Sequence, residues 1–146
     1  MKKPFLVRTH RIEWGQCDPA GIVFAPRYFD MFTESTILLF EKAGLGKKRA
    51  MLADLGTVGF PMVNVSARFL SPTSYGDDVT IETMAPEFGR TSFTVEHRLL
   101  LDGTSCVECT EKRVWAVPDP ERPSGIRPEP VPQDVRALFE EIAAAG

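Results

Sequence analysis

Hydrophobic residues recur along this chain with two periods, and each period marks one kind of element. Across residues 27–43 the period is helical: Arg27, Asp30, Glu34 and Glu41 fall within roughly 60° of one another, while Tyr28, Phe29, Met31, Phe32, Leu38, Leu39 and Phe40 fill much of the remaining circumference. A helix of that kind must be buried on most sides. Gly44 follows it as a residue suited to the left-handed conformation that ends helices. Strand-like runs occupy residues 5–14, 58–70, 77–88, 91–101 and 105–117, separated by proline, glycine or aspartate. Residues 44–56 predict a short second helix or a loop over the sheet edge, and residues 118–132 a proline-rich surface crossing. Residues 133–145 predict a terminal helix with Val135, Leu138, Phe139 and Ile142 on one side. A strand, a long buried helix and four strands in hairpin-like succession predict an α+β fold, with an antiparallel sheet of about five strands wrapped around the helix. The chain, 1–146, reads as one domain.

Composition narrows the function classes. With 43% hydrophobic and 25% charged residues, 146 residues suffice for one core, burying about 68% of the unfolded surface. The net charge of −3 supplies no basic face, so neither a nucleic-acid nor a membrane partner is expected. No apolar run reaches the ~18 residues of a spanning helix, and no signal-peptide core follows Met1-Lys2-Lys3-Pro4. A cytoplasmic protein is expected. Three cysteines, Cys17, Cys106 and Cys109, are too few for a disulfide framework. Cys106 and Cys109 have the spacing of redox and zinc sites, but residues three apart on a strand point to opposite faces, so the two sulfurs should diverge. His10 and His97 lie in predicted strands with no nucleophile motif around either, and the helix carboxylates have no histidine three or four residues on. Neither metal nor cofactor is expected.

The stretch richest in chemistry is residues 15–28, Gly-Gln-Cys-Asp-Pro-Ala-Gly-Ile-Val-Phe-Ala-Pro-Arg-Tyr. Pro19 pushes Asp18 toward an extended conformation, and Gly21 allows the positive φ of a sharp reversal. Pro26 suits the first position of a helix, which leaves Ala25 before it as a cap with no side-chain oxygen. A carboxylate on a stiff turn beside an uncapped helix start suits attack on a carbonyl: one group to attack or to activate water, and N–H donors for the oxyanion.

These residues resemble the signature of the 4-hydroxybenzoyl-CoA thioesterase family, acyl-CoA hydrolases of the hotdog fold, and the resemblance runs over residues 11–117. It implies that Asp18 is the catalytic aspartate and that the Ala25 N–H polarises the thioester carbonyl. It implies that Phe60, Pro61 and Met62 line the acyl and pantetheine tunnel, and that Arg90, Thr91 and Ser92 lie in the coenzyme A contact region. Three positions depart from the family pattern: Thr33 replaces the helix acid that reads a 4-hydroxyl, Lys48 an aromatic pocket residue, and Thr91 a phosphate-contacting lysine. The basic trio Lys47-Lys48-Arg49 could meet a coenzyme A phosphate or form a solvated face. The implied activity is hydrolysis of an aromatic acyl-CoA, such as 4-hydroxybenzoyl-CoA or benzoyl-CoA, with Asp18 as nucleophile or general base. The implied assembly is a homodimer or homotetramer with its site between subunits. A broader short-chain thioesterase similar to the Tol-Pal-associated members, and a non-catalytic acyl-CoA-binding hotdog module, stand as alternatives.

Overall fold

The computed structural model describes residues 3–145. Strand β1 (Leu6–Arg11) is followed by a single 3₁₀ turn (Trp14–Gln16) and the long helix α1 (Ala25–Phe40). Helix α2 (Lys48–Leu55) leads into β2 (Met62–Phe69), β3 (Asp78–Thr83), β4 (Glu87–Phe88), β5 (Ser92–Leu101) and β6 (Thr104–Val114). Strands β7 (Ala116–Pro118) and β8 (Ile126–Pro128) form a separate ribbon ahead of helix α3 (Gln133–Ala145). The main sheet is antiparallel in the order β1-β3-β5-β6-β2, with β4 pairing β5 off that path. No helix among the described residues is long and apolar enough to cross a membrane.

The sheet curls around α1, which buries Tyr28, Met31, Phe32, Ser35, Thr36, Leu39 and Phe40 while Arg27, Asp30 and Glu34 stay exposed. The helical period therefore located the core correctly. Two apolar clusters divide it. Met31 and Phe32 pack with Val79, Ile81, Leu99 and Val107 toward the N-terminal half of α1. Phe40 anchors the other cluster, with ring centroids 4.5 Å from Phe60 and 5.3 Å from both Phe93 and Phe139. The helix widens into a π-turn over Glu41–Leu45, in which Gly44 takes φ +98°, the left-handed conformation that ends it.

Several details differ from the sequence expectation. The first strand stops at Arg11, and the strands expected at 58–70 and 77–88 are trimmed to β2 and to β3 plus β4. The proline-rich crossing contains β8, which pairs residue for residue with β7. α1 begins one residue early: Phe24 is the cap, Ala25 the first helical residue and Pro26 the second. Cys106 and Cys109 are free thiols, but they do not diverge. A bulge opposite Leu99 and Leu100 interrupts the alternation at Cys106, so both sulfurs are buried in one apolar cluster. Burial, then the nearby Glu111 charge, pushes the Cys109 thiol up to about 12, which makes it inert.

Candidate active site

The turn ahead of α1 is built by its own backbone. Gly21 N–H donates to the Asp18 carbonyl (2.9 Å) and Asp18 N–H to that of Ile22 (3.0 Å), with Gly21 at φ +83°. Phe24 N–H closes the loop on the Gln16 carbonyl at 2.9 Å. Val23 N–H bonds the Thr73 carbonyl, and the buried Tyr28 hydroxyl pairs with Thr73 Oγ1 at 2.7 Å, so turn and helix start are pinned to the same segment. The half-buried Asp18 accepts from Ala20 N–H at Oδ1 (2.8 Å), and among the described residues nothing donates to Oδ2. That oxygen is available for chemistry.

Phe24 offers no side-chain cap to α1. Arg27 N–H reaches back to the Phe24 carbonyl, and Pro26 has no N–H to place, so Ala25 N–H is left as an uncommitted donor at the helix start. It has no acceptor among the described residues and carries the positive end of a helix of 16 residues. Asp18 lines a cleft of about 280 Å³ with Trp14, Cys17, Pro19 and Gly21. Ala25 lines a more apolar one of about 360 Å³ with Ile22, Tyr28, Phe69, Leu70 and Pro72. Consecutive residues, Gly21 and Ile22, belong to one cleft each.

The remaining candidate residues gather elsewhere. Arg113 ties two of them together, donating from Nη2 to Thr33 Oγ1 (2.9 Å) and from Nη1 to the Phe60 carbonyl (2.8 Å). Phe60 is buried, Pro61 half-buried and Met62 exposed at the start of β2. Arg90 and Thr91 lie in the turn between β4 and β5, with their carbonyls taken by Val131 N–H and Trp115 N–H, and Ser92 opens β5. This turn and residues 60–62 lie at one end of the sheet, and Asp18 and Ala25 at the other, where Arg11 pairs with Asp78. A strand the length of β5 spans about 33 Å, so one chain does not bring the two groups together. Lys47 is exposed, whereas the side chains of Lys48 and Arg49 lie outside the described residues.

Sequence reasoning missed the polar cluster behind Thr33. Glu111, 1% exposed, accepts from Arg113 Nη2 at Oε2 (2.9 Å), from His97 Nε2 at Oε1 (3.0 Å) and from the Thr36 hydroxyl. His97 Nδ1 pairs with Thr83 Oγ1 at 2.9 Å, and Phe32 stacks on its ring at 5.0 Å. Burial alone would raise the Glu111 carboxyl, but the hydrogen bonds from His97, Arg113 and Thr36 outweigh it and hold the carboxyl at about 2. The signal was present: Val107, Cys109, Glu111 and Arg113 alternate onto the inward face of β6.

A sheet wrapped around one long helix, with an aspartate turn delivering the chain to an uncapped helix start, defines the class of hotdog thioesterases. The chain belongs to the Thioesterase-like superfamily, whose family model matches residues 12–139. It is 38% identical over 134 residues to the 4-hydroxybenzoyl-CoA thioesterase of Pseudomonas sp. (strain CBS-3), covering 88% of this chain and 93% of that one. A crystal structure of a 4-hydroxybenzoyl-CoA thioesterase mutant with asparagine in place of an aspartate, complexed with 4-hydroxybenzoyl-CoA, superposes with a TM-score of 0.83. That match has 35% identity and covers 92% of this chain and 97% of the other. A gentisyl-coenzyme A thioesterase superposes with a TM-score of 0.75 at 29% identity, covering 92% of this chain and 99% of that one.

Proposed function

We propose that this protein is an acyl-CoA thioesterase that hydrolyses aromatic acyl-CoAs of the benzoyl and 4-hydroxybenzoyl type to the free acid and coenzyme A. The observation that carries this reading is that one turn, pinned by its own backbone, holds an open Asp18 carboxylate oxygen and leads into α1 at an uncommitted Ala25 N–H. The thioester carbonyl accepts from Ala25 N–H, where one oxyanion donor is worth about 3 kcal/mol and the helix dipole adds to it. Asp18 either attacks the carbonyl carbon, giving an acyl anhydride that water then opens, or takes a proton from a water that attacks instead. Either way the C–S bond breaks, and coenzyme A leaves as a thiolate stable enough to need no strong general acid. The relative whose aspartate-to-asparagine mutant is complexed with 4-hydroxybenzoyl-CoA supports an essential aspartate in this family.

The active unit is a homodimer at least. β2 ends the sheet with its outer edge unpaired among the described residues, and Met62, Val63, Val65 and Phe69 are exposed on it. An edge so apolar and eight residues long invites pairing with another strand. Antiparallel pairing of β2 with β2 of a second copy sets residues 60–62 of one copy beside the Asp18 and Ala25 end of the other, which unites groups that a single chain separates. The Arg90, Thr91 and Ser92 turn then supplies coenzyme A contacts near the dimer's site.

A thiol-release screen over benzoyl-, 4-hydroxybenzoyl- and short alkanoyl-CoAs tests the reading. Release of free thiol from the aromatic substrates is expected. Retention of acyl-CoA without thiol release would instead make the protein a binding module, and turnover confined to short alkanoyl-CoAs would make it a broader aliphatic thioesterase.

A further inference from the structure

The chain enters β2 with three successive carbonyls committed. Gly59 accepts from Ala116 N–H (3.4 Å), Pro61 from Val114 N–H (3.1 Å) and Phe60, between them, from Arg113 Nη1 (2.8 Å). Phe60 is 7% exposed, so bulk water does not stand in for the guanidinium at that carbonyl. The ladder gives less help beyond it, because the register shifts between Met62 and Asn64. The guanidinium is itself fixed from behind: Nη2 donates to Thr33 Oγ1 and to Glu111 Oε2, each at 2.9 Å, and Glu111 also accepts from His97 Nε2 and the Thr36 hydroxyl. A planar fork held in three directions cannot swing without giving up a bond. Helix α1 and strand β5 thus help to set where Phe60 lies.

That placement matters to a second copy of the chain. Both β2 strands run from Met62 to Phe69, so antiparallel pairing along their full length sets Met62 of one opposite Phe69 of the other. Phe69, Leu70 and Pro72 line the cleft that holds Ala25 and Tyr28. The segment ending at Met62 therefore forms a wall of the other copy's Ala25 cleft, while the Asp18 and Ala25 of its own chain lie at the far end of the sheet.

We propose that Arg113, acting through the Phe60 carbonyl, is a positioning residue for the active site of the partner copy, holding residues 60–62 as the wall against which the other chain's Ala25 N–H and Asp18 receive the thioester. The inference rests on the thioesterase reading and the shared site above. Arg113 touches neither the substrate nor the reacting atoms. Its loss shifts the wall, and a displacement of about 1 Å at a reacting group costs on the order of 10²-fold in rate. The loss falls on kcat more than on KM.

Complementation between copies tests this, with benzoyl-CoA as substrate and free thiol as the readout. Arg113→Met with Glu111→Gln, which leaves neither charge buried alone, lowers kcat of the homodimer at least about tenfold. Two hybrids are assembled from differently tagged chains and isolated through both tags. In the split hybrid one chain carries Asp18→Asn and the other carries the Arg113 and Glu111 changes. One of its two sites joins an intact Asp18 to an intact Arg113 across the interface, and it recovers about half of wild-type kcat. In the linked hybrid one chain carries all three changes beside a wild-type chain. Each of its sites then has one defect, and kcat stays at or below about a tenth of wild type. Arg113→Lys, which keeps a charge beside Glu111 but offers one ammonium in place of the fork, repeats the pattern with a smaller loss. Equal activity in the two hybrids would make Arg113 a support of folding alone, as would failure of both Arg113 variants to form a dimer. An active linked hybrid beside an inactive split one would mean that Arg113 serves its own chain. Each of these results would overturn the inference and leave the thioesterase reading standing. Absence of thiol release by the wild type from every aroyl-CoA would overturn both.

Discussion

Arg113 of β6 and Thr33 of α1 stand 80 residues apart in sequence and are joined by a 2.9 Å hydrogen bond. The same guanidinium holds Glu111 and the carbonyl of Phe60, so one side chain couples the central helix, the inner sheet and the segment entering β2. Arg113→Met leaves Glu111 buried with its main cation removed and should cost about 3–5 kcal/mol in urea unfolding. Arg113→Met with Glu111→Gln should recover part of that loss. Additive effects in the double variant would mean that the two charges do not depend on each other.

Acid should act on the same cluster. Glu111 is held at about 2 against an ordinary value of 4.5, so the unfolded chain binds a proton that the folded chain does not until the pH is much lower. The stabilisation is complete above about pH 4.5 and lost as pH falls toward 2, on the order of 3 kcal/mol in all. Urea midpoints for the wild type should therefore drop more steeply over this window than those of Glu111→Gln. Parallel pH profiles would show that Glu111 titrates normally.

The buried face of α1 sets the core energetics. Phe32 and Leu39 are fully buried, and each should cost about 2–5 kcal/mol when replaced by alanine, because the surrounding sheet cannot collapse into the cavity. Changes near zero at both positions would place the helix at the surface.

The outer edge of β2 should control assembly. Val65 is 40% exposed near the middle of a strand with no second neighbour among the described residues, and Val65→Asp would bring two like charges together at the centre of a β2–β2 dimer. Light scattering should show a shift toward monomer with a parallel loss of thiol release. A monomeric wild type with full activity would refute the shared site.

The fold was legible wherever local chemistry and tertiary demand agreed. The polar stripe of Arg27, Asp30 and Glu34 marked the exposed face of α1, and Asp-Pro-Ala-Gly encoded its own turn. The helix start was misjudged by one residue because proline is tolerated at the second position of a helix as well as the first. β8 was hidden because Ile126, Arg127 and Pro128 are too few to show an alternation, and the strand exists only by pairing with β7. Glu111 and Arg113 were overlooked because charged residues in a strand are first read as solvent-facing. They point inward only because each neutralises the other, a relationship no local pattern displays. The same holds for Cys106, whose inward turn depends on a bulge set by its partner strand.

The most direct test of the proposed chemistry is the single-turnover and steady-state kcat of Asp18→Asn with benzoyl-CoA and 4-hydroxybenzoyl-CoA, alongside the affinity of the variant for the intact thioesters. Asparagine fits the turn and can still accept from Ala20 N–H, but it can neither attack a carbonyl nor take a proton from water. A loss of at least about 10²-fold in kcat, with acyl-CoA binding and thermal stability retained, is the predicted result. A variant that keeps more than about a tenth of wild-type kcat would contradict the assignment of Asp18 as the catalytic carboxylate.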